Sequence, residues 1–177
     1  KKEDDAKQYL KLSNEIKFAF NAKFYNEQSS QYATGSQTSN AIALCVGLVD
    51  KINQKSVVEN LVESIQKNNY ALTAGDIGFH YVLKALQQNG RADVIFKMNN
   101  RSDVPGYGYQ ISKGATALTE SWQALPTVSN NHFMLGHLLE WLYEDLAGIQ
   151  QSVNSVGYQN IDIKPQLVGD IKQAKAS

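Results

Sequence analysis

Apolar residues at intervals of three and four run along most of the chain, the spacing of one face of a helix. In residues 3–28, Tyr9, Leu12, Ile16, Phe20 and Phe24 keep that interval, with Lys, Asn and Gln between them. They predict an amphipathic first helix. The chain enters it almost at once, as a segment cut from a larger protein would. A turn follows at 32–35, then a second helix over 36–49 that Ser36 or Thr38 can cap. Its stretch 41–49 is apolar nearly all round, which predicts burial on every side. A strand is the competing reading of this run, although Ala41, Ala43 and Gly47 are poor strand residues. Asn53 can cap a third helix with a stripe of Val57, Val58, Leu61, Val62 and Ile65. A fourth helix, 76–88, turns Phe79, Val82, Leu83 and Leu86 inward and stops at Asn89-Gly90. A fifth, 92–98, carries Val94, Ile95 and Met98.

The pattern breaks at 99–113. Pro105, Gly106, Gly108, Tyr107 and Tyr109 predict a loop bearing aromatics, and functional groups concentrate on such loops. A short helix is predicted over 115–122, another loop over 123–129, and a last long helix over 130–146 before Gly148. Beyond it Ile161 and Ile163 alternate with Asp162 and Lys164, a strand signal. The sequence therefore predicts an all-α protein of seven helices, more than half helical. Strand is expected only in the tail after about residue 158.

Composition narrows the classes of function. Of 177 residues, 42% are hydrophobic and 10% aromatic, enough to form a core and to exclude disorder as the main state. Lys and Arg number 17, as do Asp and Glu, so the formal charge is zero. A balanced chain offers no long-range attraction to phosphate backbones or anionic lipid, so neither nucleic acid nor membrane is an expected partner. The apolar run at 41–49 is too short to span a bilayer. A single cysteine, Cys45, excludes an internal disulfide and a cysteine-based zinc site. It lies in an apolar helix with no charged neighbour, which predicts an inert buried thiol.

Few residues suggest chemistry on their own. Glu120 stands two positions before Trp122, just after the glycine- and tyrosine-rich loop, and His132 opens the next helix. A carboxylate near an imidazole can act as a general base toward water, and an indole face can stack on a sugar. On spacing alone the favoured reading is the plainer one: a surface glutamate, a core tryptophan and a satisfied histidine. His132 and His137 are five apart, whereas a two-histidine metal site on a helix wants four, so no metal and no cofactor is expected. His80 reads as a core or helix-surface histidine. Gly75-Asp76-Ile77-Gly78 lacks the spacing of a phosphate loop, and Asp76 reads as a helix cap.

Taken together, several stretches resemble the α-L-rhamnosidases of glycoside hydrolase family 78. They are Tyr32-Ala-Thr-Gly-Ser-Gln-Thr-Ser-Asn-Ala41, Leu72-Thr-Ala-Gly-Asp-Ile-Gly78, Pro105-Gly-Tyr-Gly-Tyr109, Gly114-Ala-Thr-Ala-Leu-Thr-Glu-Ser-Trp122, Asn131-His-Phe-Met-Leu-Gly136, Glu140-Trp-Leu-Tyr143 and Leu146-Ala-Gly-Ile149. Their order and spacing carry the resemblance over almost the whole chain. It implies a partial (α/α)6 toroid, the six-hairpin glycosidase barrel. Residues 1–150 would be the C-terminal part of that catalytic domain. Residues 151–177, with Ile163-Lys-Pro165 and Lys175-Ala-Ser177, would be a linker and the start of a C-terminal β-sandwich.

The implied reaction removes terminal α-L-rhamnose from a glycoside or polysaccharide with inversion. One carboxyl protonates the leaving oxygen while another deprotonates water. The resemblance makes Glu120 the general base and brings His132 into the same catalytic site. Trp122, Tyr107 and Asn131 are the expected substrate contacts. Many members have Arg where Ser121 stands and Trp where Tyr107 stands. The family's general acid belongs to an Asp/Arg/Glu-rich stretch that this sequence lacks, so the chain alone is expected to be inactive and to self-associate through exposed helix faces. A glycosidase for another sugar on the same scaffold, and a non-catalytic helical module that binds glycan or protein, are the competing functions. For an enzyme acting on polysaccharide the periplasm or the outside of the cell is the expected place, with the cytoplasm open.

Overall fold

The most buried helix organises the rest. In a computed structural model, which describes residues 2–176, helix α4 (Asp76–Gln88) carries Phe79, Val82, Ala85 and Leu86 at zero exposure. Against it pack α2 (Gln37–Cys45) and α5 (Ala92–Asn99), and α3 (Lys51–Lys67) packs in turn on α2. Ala41, Leu61, Ile65, Ile95 and Met98 complete one continuous core with Trp122, Leu135 and Trp141. Each large side chain buried this way stabilises the fold by about 1.5–3 kcal/mol. The helices over 57–65 and 79–86 thus bury the faces that periodicity predicts, whereas the run 41–49 is not buried on every side: its helix ends at Cys45, only Ala41 and Ala43 are buried, and Val46 is exposed to solvent. The chain is mostly helical, yet helical turns make up about half of it rather than more.

Local chemistry sets the boundaries. Ser36 caps α2, its Oγ accepting from the Ser39 amide at 3.1 Å. Helix α3 starts after Asp50, earlier than Asn53. Gly75, and not Asp76, precedes α4, so Asp76 is the first helical residue. Gly90 ends α4 with φ +67°, the left-handed conformation that glycine adopts without a Cβ clash. The glycine at 78 serves close packing. A Cβ there would run into the Thr38 side chain, so α2 and α4 approach as near as they do only because Gly78 has none.

Four expectations fail, each for a visible reason. Residues 107–112, expected as loop, form α6 (Tyr107–Ser112). Residues 115–122 form no helix, because their backbone pairs elsewhere: Glu120 N donates to Ser129 O at 2.8 Å, and His132 N donates to Leu118 O at 2.7 Å. That pairing also breaks the expected long helix. Residues 130–146 become a 3-10 turn (Phe133–Leu135), α7 (Leu138–Trp141) and a π-helical turn (Leu142–Leu146), with Gly136 between the first two. Strand is not confined to the tail. β1 (Tyr25–Asn26) pairs with β2 (Gln31–Tyr32), and β3 (Ile149–Gln151) pairs antiparallel with β4 (Ile161–Ile163). The expected tail strand therefore finds its partner across Gly148, just beyond the π-turn. Lys1 and Ser177, the ends of the two expected segments, lie outside the described residues.

Helix α1 (Glu3–Phe24) buries no residue. Tyr9, Leu12, Ile16 and Phe18 are exposed. It is held by Lys17, whose Nζ meets Asp50 at 3.1 Å, and by Asn21, which bonds Leu48 O and the Tyr32 hydroxyl. No described helix is long and apolar enough to cross a membrane.

An ionic cluster joins α4 to α7. Lys84 Nζ reaches Glu140 at 2.5 Å and Glu144 at 3.2 Å, while His80 Nδ1 lies 3.7 Å from Glu140. Burial opposes the Lys84 charge, but the hydrogen bonds and charges of the two glutamates outweigh it and hold the ammonium above the usual lysine range. The His137 ring lies 4.7 Å from that of His80. Burial, and then His80, depress His137 below the ordinary imidazole value against the pull of Glu140. The unfolded chain takes up this proton near pH 6.5, the folded chain only at lower pH. The contribution is therefore fully present above about pH 6.5 and is lost as pH falls below it. His137→Gln should flatten the fall in thermal midpoint between about pH 7 and pH 5. Parallel curves for the two proteins would remove His137 as the cause.

Candidate active site

The start of α4 and two irregular segments meet at one end of the helical layer. Asp76 occupies the first helical position, where the helix dipole favours a carboxylate. Its Oδ1 accepts from the Ile77 amide at 2.8 Å, and its Oδ2 lies 3.5 Å from His132 Nε2. The His132 ring is largely covered.

The segments carrying Glu120 and His132 run antiparallel through the backbone pairs 118–132 and 120–129. The Ser129 amide also donates to Glu120 Oε2 at 3.1 Å. Two bonds to Ser129 thus orient an exposed carboxylate whose other oxygen is available to water. Asn131 is exposed beside His132, its amide donating to Ser129 Oγ at 3.3 Å.

Trp122 and Tyr107 lie beneath this layer. Trp122 is 5% exposed, so its indole presents no open face for a sugar, contrary to the expectation. Its Nε1 donates to Ala74 O at 2.6 Å, two residues before Asp76. Its ring meets Phe79 and Tyr107 edge-on at 4.9 and 5.2 Å. The Tyr107 hydroxyl donates to the Leu135 carbonyl, three residues after His132, and burial pushes the phenol well above its usual range. Tyr107 therefore serves as a support, although one edge borders a groove with Gln110, Ile111 and Leu118. The two aromatics tie both walls of the site to the core, an arrangement with well-defined geometry and about 0.5–1.5 kcal/mol per ring pair.

Other expected features fall elsewhere. His137 lies against the His80 ring at a tilt, away from this cluster. The Cys45 thiol donates to Tyr81 O at 3.3 Å, and burial pushes it up to about 11, which leaves it protonated. Among the described residues no group of three His, Cys, Asp or Glu side chains could hold a metal ion. Sequence reasoning misses the partnership of Asp76 with His132. The two are 56 positions apart, and a helix-start aspartate is ordinarily read as a cap.

The helical fold defines the class, part of a six-hairpin glycosidase domain. Within that class the chain belongs to the bacterial α-L-rhamnosidases: the model of their 6 hairpin glycosidase domain matches residues 1–146. An α-L-rhamnosidase of Streptomyces avermitilis is 28% identical over 182 residues, covering 98% of this chain and 17% of the relative. One of Formosa agariphila is 28% identical, covering 100% of this chain and 20% of its own length. A solved α-L-rhamnosidase from Dictyoglumus thermophilum superposes with a TM-score of 0.87 and 35% identity, over 96% of this chain and 19% of that one. The chain thus spans about a fifth of the length of the relatives it matches.

Proposed function

We propose that this segment supplies the general-base side of an inverting α-L-rhamnosidase, acting on a rhamnose-containing glycoside or polysaccharide. The observation that carries the reading is the Glu120 carboxylate, one oxygen fixed by the Ser129 amide and the other open, on a segment laced to that of His132. Such a carboxylate can take a proton from water as the water attacks the anomeric carbon. His132, with Asn131 beside it, orients that water or a neighbouring sugar hydroxyl. The crystal structure of the Streptomyces avermitilis relative is of its complex with L-rhamnose, which supports the choice of sugar.

In an inverting pair the carboxyls stand about 6.5–9.5 Å apart to admit the water. The acid belongs to a part of the protein beyond these residues. Residues 1–150 are then part of the toroid, and 151–177 lead toward a following β-sandwich domain. The exposed apolar face of α1 is covered by further hairpins. When the full-length protein cleaves an aryl α-L-rhamnoside, NMR of the first-formed sugar should show the β-anomer. First-formed α-rhamnose would overturn the inverting mechanism.

A further inference from the structure

The proposed site explains Glu120 and His132 but gives Asp76 no part. We propose that Asp76 is a positioning residue for this reaction, one that fixes the tautomer and orientation of His132. This inference rests on the assignment of His132 to the site.

The geometry is specific. Asp76 is held twice: its backbone begins the most buried helix, and its Oδ1 accepts from the Ile77 amide. Only Oδ2 is left for His132, 3.5 Å from Nε2. A carboxylate accepts and never donates. Nε2 must therefore carry the proton, and in the neutral ring Nδ1 becomes the acceptor. His132 is itself anchored, its backbone amide bonded to Leu118 O, so the pair joins the start of α4 to the irregular segment whose backbone pairs with that of Glu120. A ring so fixed offers a defined acceptor to a water or a sugar hydroxyl. Carboxylates that set a histidine's tautomer in this way are worth about 10–100-fold in activity where they have been tested at metal sites.

Asparagine at 76 makes the sharpest test. If its Oδ1 keeps the Ile77 amide, its NH2 group faces Nε2. That forces Nε2 to accept and Nδ1 to carry the proton, the opposite tautomer. If the amide flips instead, the bond at the start of α4 is lost.

In the full-length enzyme acting on an aryl α-L-rhamnoside, Asp76→Asn should lower kcat/KM by about 10–100-fold. Asp76→Ser keeps an acceptor for the helix start but falls short of His132, so it should lose as much. Asp76→Glu, which reaches the ring, should recover most of the activity. In a His132→Ala background, Asp76→Asn should cost less than about twofold, since a residue acting through a partner has nothing left to act on. An equal loss in both backgrounds, or recovery with serine, would make Asp76 a structural residue and overturn the inference. An Asp76→Asn enzyme as active as the parent would overturn it too. If His132→Ala alone is fully active, the assignment of His132 fails and takes this inference with it.

Discussion

Glutamine in place of Glu120 should cut turnover of the full-length enzyme by about 10²–10⁴-fold, the usual contribution of a general base. That is about 3–5 kcal/mol of lost transition-state stabilisation. The fold should survive. Glutamine is nearly isosteric, its amide oxygen can still accept from Ser129, and the backbone pair between 120 and 129 does not involve the side chain. What disappears is the basic oxygen, because an amide cannot take the proton of an attacking water. An added azide ion needs no deprotonation, so it should restore turnover on an aryl rhamnoside with a good leaving group and yield a rhamnosyl azide of inverted configuration. A Glu120→Gln enzyme with unchanged kcat would show that the base lies elsewhere.

The 177-residue chain on its own should release no aryl alcohol from an α-L-rhamnoside above background. Inverting hydrolysis needs two carboxyls across the bond. On the proposed assignment this chain carries the base, but no acidic stretch of the kind from which the family draws its acid. Losing acid assistance costs about 10²–10⁴-fold by itself, and a segment spanning a fifth of its relatives also lacks most of the sugar's binding surface. The same chain should self-associate with rising concentration in sedimentation velocity, because Tyr9, Leu12, Ile16 and Phe18 of α1 are uncovered. Serine at Tyr9, Leu12 and Ile16 should return it to a monomer. Robust rhamnoside turnover by the isolated chain would defeat the reading that its catalytic partner lies outside it.

Where burial follows a helical period, the sequence reads clearly. Leu61, Ile65, Phe79, Val82 and Leu86 can be assigned to the core from spacing alone, and all five are fully buried. The Asn89-Gly90 stop is equally plain, since only the left-handed backbone of Gly90 is needed to end α4. Residues 115–146 are harder because their backbone is satisfied by distant partners. Leu118 bonds to His132 and Glu120 to Ser129, and no periodicity encodes such pairs. The expected roles of Glu120 and His132 came from resemblance. Spacing alone favours a surface glutamate and a satisfied histidine. Trp122 illustrates the opposite error. Its chemistry suits a sugar platform, but its N–H finds Ala74 and its ring finds Phe79, so burial decides its place.

The deep burial of α4 also divides the candidate site by its dynamics. Amides in the middle of that helix, around Val82 and Leu83, lie on its most buried stretch and should exchange with solvent only when the whole domain unfolds. Asp76, at the first turn of the same helix, inherits that fixed position. Glu120 and Asn131 stand on exposed segments without regular structure, joined by a few backbone pairs, and their amides should exchange through small local openings. One wall of the site thus has nearly the opening free energy of the fold, while the other yields at much lower energy. Tight binding of a sugar between them would appear first as slowed exchange at 118–132, with little change in α4.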